Sequence, residues 1–465
     1  MRILFSFLFL CIVSINCCLS QSVKINLSSK ISAFLQDDQM KNASLSFYVD
    51  DAATGDEVYE YDGERGLAPA SSQKIFTTIA SFEILGSDYT FKTGIGYNGN
   101  LSDGVLKGNL LITGYGDPTF GSWRYQGYKP EDVKNKLLSK LSNAGIRAID
   151  GNIIIDESNW GLNPTPGGWP WDDIGNYYGA GDWGINWNEN QINYTLKPNG
   201  SDVSVIKTDP PLQGAKIINR ISAQGSEDKS IIYAAPYSPI VNIEGTIPSG
   251  KLLTITGAAP NPPLQFGYEL NNWLKEKNIY CTGEIKTAYD YLVKEQTVPQ
   301  ATKNIGTYSS PELHDIVFHF LRKSVNLYGE SFAKALGWQN KKDPSTSSGV
   351  SIIKQFWYDH GIGNSELHMI DGSGLSPQNY VTAHAEVKAL LYAKNKDWFH
   401  YFYDALPTYN DMKMKSGTIS GCKAFAGYQT SKNGKQYVFS IIINNYSGSQ
   451  YSILRKIYTV LDLLK

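Results

Sequence analysis

Ser71 and Lys74 stand three residues apart, at the head of a stretch whose apolar residues Ile75, Ile79 and Phe82 recur at helical spacing. On a helix that spacing places both side chains on one face. A serine hydroxyl is a weak nucleophile until a base takes its proton. A lysine becomes that base when desolvation or a neighbouring cation lowers its pKa. A helix start also puts the Ser71 backbone N–H where negative charge develops. The chemistry so described is acyl transfer through a serine ester. S-x-x-K alone recurs by chance, and two further elements give it weight. Ser324-Val325-Asn326 falls between two helical stretches, where a loop presents both polar side chains to a cleft. Lys415-Ser416-Gly417-Thr418 runs on toward Ala424–Tyr428 and reads as an edge strand. Its backbone can pair with an extended peptide, its cation and hydroxyl can hold a terminal carboxylate, and its bare glycine admits close approach. Taken singly, S-x-N reads as a helix cap and K-S-G as a hairpin turn. All three in this order favour function.

Other chemistries find no support. All six histidines lie from His314 onward, and none forms H-E-x-x-H. There is no G-x-S-x-G elbow. Gly94 to Gly99 matches G-x-G-x-x-G, but turn residues follow it where a dinucleotide site needs a helix. No paired-cysteine spacing suggests zinc, and no cofactor is implied.

The elements that must position these residues divide the chain of 465 residues into three stretches. Near the front, Ser44–Val49 and Glu57–Tyr61 read as a hairpin, and Pro69 marks a helix start near Ser71. From about Phe91 to Lys286 the chain is rich in Gly, Asn, Trp, Tyr and Pro, with short β-like pieces. Helical periodicity appears there only near Pro130–Ala144 and Leu264–Lys277. Helical texture returns at Ser310-Pro311-Glu312, with Ser310 as the expected N-cap, then over Tyr328–Leu336 and Val381–Lys394. A strand over Gln436–Asn444 and an amphipathic helix close the chain. The pattern predicts an α+β domain whose sheet unites both ends around a long, mostly β insertion. The expected division is one domain from residues 21–90 and 287–465, with 91–286 inserted as one or two subdomains.

Residues 1–20 read as a secretory signal, a basic start followed by the apolar run Ile3–Ile15. A lipidated Cys17 or Cys18 is the rival reading. No later segment is long and apolar enough to span a bilayer. Beyond the signal only Cys281 and Cys422 remain, as one disulfide or two lone thiols. Forty-two basic against 44 acidic side chains leave no excess to neutralise phosphates, so nucleic acid is not an expected partner. Thirty Tyr and ten Trp supply either contact surface or core. A carbohydrate-binding module built on Trp160, Trp169, Trp171, Trp183 and Trp187 would explain the aromatics and leave the three motifs as coincidence.

The three motifs resemble the S-x-x-K, S-D-N and K-T-G set of β-lactamases and penicillin-binding proteins. Over nearly its whole length the chain is similar to the class C low-molecular-mass penicillin-binding proteins, the D-alanyl-D-alanine carboxypeptidases and endopeptidases of the bacterial periplasm. The 253 positions from Ser71 to Ser324 match the long insertion of that class. Gly114-Tyr115-Gly116-Asp117-Pro118, Gly151–Asp156 and Asp371–Ser376 match further landmarks, read as scaffold. The resemblance implies a β-lactamase/D,D-peptidase-like fold, an antiparallel sheet flanked by helices. It implies peptidoglycan stem peptides as substrate and sensitivity to β-lactam antibiotics. By position, Ser71 would be acylated and Lys74 would be its base. Ser324 would relay protons to the leaving amine, and Asn326 would bind the substrate amide. Lys415 and Ser416 would hold the carboxylate, and Thr418 would supply the second oxyanion N–H. Trp169, Asp172 and Tyr177 have the spacing of a family device that recognises a free amine on the stem peptide. Two departures stand out. Ser416 replaces the usual Thr, and Leu406-Pro407 is followed after only seven residues by Lys415, a shortening that would reshape the cleft floor.

Overall fold

The computed structural model describes residues 22–465, so the expected signal segment lies outside the described residues. Among those residues no helix is long and apolar enough to cross a membrane.

A six-stranded antiparallel sheet joins the two ends of the chain. Its order is Thr408–Tyr409, Met412–Ile419, Cys422–Thr430, Gln436–Asn444, Ser44–Asp51, Glu57–Tyr61. Both faces are apolar, because helices cover both. On one face Leu27, Ile31 and Phe34 of the helix over 22–35 join Ile453, Ile457 and Leu461 of the closing helix, packing on Phe47, Phe439 and Ile441. On the other, Ile75, Ile79 and Phe82 meet Phe320, Phe332, Leu336 and Trp357. The helix Lys74–Leu85 is buried from Lys74 through Phe82, on every side. A helix so enclosed belongs in a core. Truncating Ile79 there to Ala would cost about 2–5 kcal/mol. That enclosure also strips water from Lys74.

The insertion builds a five-stranded sheet, Ile285–Thr287, Ile153–Asp156, Leu110–Gly114, Lys92–Tyr97, Lys303–Ser309, and a separate six-stranded sheet of strands between Gln191 and Ala258. The helices Pro130–Asn143 and Pro262–Glu276 share a core with the first sheet. Its last strand, Lys303–Ser309, pairs antiparallel with Lys92–Tyr97, so by strand pairing the insertion closes at Ser309 rather than at 286. Ser310 does not cap the following helix. Glu312 occupies the N-cap position, and Ser310 Oγ instead accepts from Phe91 N at 2.9 Å, tying the exit of the insertion to its entrance. Cys281 and Cys422 are both free thiols, bonded to the carbonyls of Gly151 and Ala68 respectively.

Candidate active site

Ser71 lies in a single 3₁₀ turn, Ala70–Gln73, that leads into the helix Lys74–Leu85. Ala70 holds φ +48°, left-handed for a residue with a Cβ, at a cost of about 1 kcal/mol or more. The turn is clamped from outside. Asn444 Oδ1 accepts from Ala68 N at 2.7 Å and its Nδ2 donates to Ala68 O at 3.0 Å. Lys74 Nζ donates to Ser71 Oγ at 2.9 Å, to Asn326 Oδ1 at 2.7 Å and to Ser373 O at 2.6 Å. Burial lowers its pKa from the usual lysine value to about 7, against the opposing pull of Asp371 and Glu330. A sizeable neutral fraction at neutral pH is what a base needs.

Ser324 holds φ +57° in the short link between the helices Leu313–Arg322 and Asn326–Lys341. Asn326 is the first residue of the second helix and caps nothing with its side chain. Its Oδ1 accepts from Lys74 and its Nδ2 donates to Tyr178 O at 2.9 Å. Lys415 Nζ donates to Ser324 Oγ at 3.1 Å and to Ser416 O at 2.8 Å. Lys415 is buried, and its pKa falls well below the lysine range through burial and then the charges of Lys74 and Lys423.

The strand Met412–Ile419 is paired along its inner side with Cys422–Thr430. On its outer side only Met412 and Lys413 are paired, with Thr408–Tyr409. The short segment before Lys415 thus forms a tight hairpin, with Asn410 and Asp411 both at positive φ. Met414 N donates outward to Pro407 O at 3.0 Å. By the two-residue alternation of a strand, the N–H groups of Ser416 and Thr418 face the same open side. Thr418 Oγ1 accepts from Lys423 Nζ at 2.7 Å, which leaves its backbone as the group free to serve the cleft. Ser416 makes no side-chain hydrogen bond among the described residues. Gly417 plays a different part from the one expected. A Cβ there would lie 2.0 Å from Pro69 O, so the glycine admits the nucleophile turn rather than a ligand.

Ser71, Ser324, Asn326, Thr418, Asp172 and Tyr177 line one cleft of about 530 Å³. Lys74, Lys415, Ser416 and Gly417 are not among its lining residues. Trp169 is not brought to the cleft either. It is buried, and its indole N–H donates to Asp371 Oδ2 at 2.8 Å. Asp371 also receives Gly374 N, Ser376 N and the side chains of Asn379 and Gln73, which fixes the turn whose Ser373 carbonyl holds Lys74. The sequence landmark Asp371–Ser376 was expected as scaffold, yet Ser373 O accepts from Lys74 and Gly374 and Leu375 line the cleft. Asp173 and Tyr178 also line it, joined by a 3.0 Å hydrogen bond from Tyr178 OH to Asp173 Oδ1. They are the second members of an Asp-Asp and a Tyr-Tyr doublet, between which spacing alone does not choose. Glu330, buried and one turn beyond Asn326, accepts from Gly372 N at 3.1 Å. Burial, with Asp371 nearby, raises its carboxyl to about 8.

Fold and site together define a serine hydrolase with a lysine, rather than a histidine, against the nucleophile. A family model described as D-Ala-D-Ala carboxypeptidase 3 (S13) matches residues 27–461, and the chain belongs to that family of serine D,D-carboxypeptidases. It is 24% identical to a D-alanyl-D-alanine carboxypeptidase of Actinomadura sp. (strain R39), over 91% of this chain and 81% of that one. It is likewise 24% identical to the D-alanyl-D-alanine carboxypeptidase DacB of Haemophilus influenzae, over 84% and 83%. The crystal structure of penicillin binding protein 4 (dacB) from Haemophilus influenzae shares the fold, with a TM-score of 0.78 at 22% identity, covering 91% of this chain and 96% of that chain.

Proposed function

We propose that the chain hydrolyses the terminal D-Ala-D-Ala bond of peptidoglycan stem peptides in the periplasm, through an ester on Ser71. Lys74 takes the Ser71 proton as Oγ attacks the carbonyl carbon. The N–H groups of Ser71 and Thr418 receive the oxyanion. The C–N bond breaks, and the proton passes by way of Lys74 and Ser324 to the departing amine of D-Ala. Water then adds to the ester, its proton returning to Ser71 through the same base. Lys415 and Ser416 hold the terminal carboxylate, Asn326 the substrate amide, and the open strand edge pairs with the peptide. Asp172 takes a free amine on the stem peptide, beside the ring of Tyr177. Cleavage of cross-links uses the same machinery. The observation that carries this reading is the 2.9 Å contact between a buried Lys74 and Ser71.

β-Lactams present the same amide to Ser71. Intact-protein mass spectrometry after incubation with benzylpenicillin, with Ser71→Ala as control, tests the assignment. One drug mass on the protein, absent from the variant, is expected. An unmodified protein with intact drug overturns it, and an unmodified protein with hydrolysed drug reassigns the chain to β-lactam turnover.

A further inference from the structure

Two cavities larger than the catalytic cleft lie elsewhere, of about 730 and 750 Å³. The second is confined to the insertion, between the loop that follows Ile185 and the helix Pro262–Glu276. Its volume is that of a ligand site. Trp123, Trp187 and Trp273 line it. Trp123 is 43% exposed, with the Arg124 guanidinium 5.1 Å from its ring centroid. Trp187 and Trp273 are 3% and 7% exposed and lie edge to face, with centroids 5.6 Å apart. Neither indole N–H has a hydrogen-bond partner among the described residues. The lining also carries Glu131, Asp209 and Glu269 and the amides of Asn188 and Asn193; Lys134 lies 3.7 Å from Glu131 and Lys207 3.8 Å from Asp209, outside the lining.

Each feature narrows the occupant. Three carboxylates on the lining, with no lysine or arginine among the lining residues, disfavour phosphate and other anions. Three indoles favour a ligand with apolar faces, and amides mixed with carboxylates favour one with many hydroxyls and N-acyl groups. A neutral oligosaccharide meets all of these conditions. The cleft wall is rigid. Asn188, Glu189 and Asn190 hold φ of +52°, +51° and +55° in succession. Glu189 keeps them there by accepting from Arg124 Nε at 2.8 Å, Ser122 Oγ at 2.6 Å and Tyr328 OH at 2.6 Å. Tyr328 belongs to the helix that begins at Asn326, so the wall of this cleft is bonded to the element that carries a candidate active-site residue.

We infer that this cleft binds the N-acetylated glycan of the polymer whose peptides the active site cleaves. The inference rests on the proposed function for the identity of that polymer, and on Trp123, Trp187, Trp273 and the amides and carboxylates of the lining for the class of ligand. Bound there, the glycan tethers the enzyme near successive stem peptides and adds affinity without touching the chemistry.

The test is calorimetric titration of the full chain with the soluble chitin tetrasaccharide, run beside D-Ala release from a soluble stem pentapeptide. Saturable binding that survives high salt is expected. Trp123→Ala, an exposed position where folding is not at stake, should weaken it roughly tenfold, with D-Ala release unchanged. Glu269→Gln should weaken it as well. D-Ala release without saccharide binding overturns the cleft and leaves the peptidase. Saccharide binding without D-Ala release overturns the peptidase and leaves the cleft. Binding untouched by Trp123→Ala, or displaced by a lysine-rich peptide in low salt, also overturns the assignment.

Discussion

Lys74 Nζ and Asn326 Oδ1 lie 2.7 Å apart across 252 residues of sequence. An amide oxygen accepts from an ammonium, and more weakly from a neutral amine. It holds the lysine in place in either state and brings no net charge of its own. Replacing that oxygen by a charged one separates positioning from titration. Asn326→Asp should raise the Lys74 pKa by about one to three units, because an opposite charge at this range favours the protonated form. The pH midpoint of acylation should move up by the same amount. A lowered rate with an unmoved midpoint would reduce Asn326 to a structural part.

In the unsubstituted protein, acylation of Ser71 should depend on the neutral form of Lys74, whose pKa burial lowers to about 7. The base is active when deprotonated, so activity is present above that value and lost as pH falls through it, about tenfold per unit. Acylation by a chromogenic cephalosporin, followed against pH, reads the midpoint. A flat profile through neutrality would remove Lys74 from the role of base.

The three motifs were legible because acyl transfer by serine and lysine demands those residue types wherever the chain runs. Their partners were not. Ser373 acts through its carbonyl, which no side chain announces. Gly417 is bare because Pro69 O approaches from another part of the sequence, and only tertiary contact reveals which neighbour a glycine spares. Trp169 stands at the spacing of a recognition residue, yet its N–H is taken by Asp371. The insertion was legible as β from its texture, but its end was not. Lys303–Ser309 joins that sheet through a pairing with residues about 200 positions earlier, which local pattern does not encode.

Gly417→Ala follows from that contact. The added Cβ would meet backbone at Pro69 O and, at 3.0 Å, Ser72 N, neither of which can swing aside. The strand should be pushed off the nucleophile turn, at a cost of about 1–3 kcal/mol. Thermal unfolding should report the loss, and acylation should fall with it. Wild-type stability and rate would mean that the turn does not rest on the strand.

Lys415 has its pKa driven well down by burial and by Lys74 and Lys423. A carboxylate arriving beside it adds its opposite charge to that of Glu386 and raises that pKa again. Binding of a D-Ala-terminated peptide should therefore take up a proton, and affinity should weaken as pH rises. Calorimetry of the Ser71→Ala protein in two buffers of different ionisation enthalpy measures the uptake. Zero uptake would show that the carboxylate is held elsewhere.

Asp172 and Asp173 differ in what already holds them. Asp173 accepts from Tyr178 OH, and burial raises its carboxyl above the usual range. Asp172 is exposed at the cleft, and none of its carboxylate oxygens accepts a hydrogen bond from another described residue. An incoming ammonium therefore finds its open partner in Asp172. Asp172→Asn should raise KM for peptides carrying a free side-chain amine about threefold to tenfold, the range of a charge-assisted contact open to water. The same peptides with the amine acetylated should be unaffected, and Asp173→Asn should keep the preference. Trp169→Phe separates recognition from support. It removes one donor from the buried Asp371, so it should cost about 1–3 kcal/mol of stability while the preference for the amine survives. An amine preference lost in Trp169→Phe and kept in Asp172→Asn would reverse the two roles.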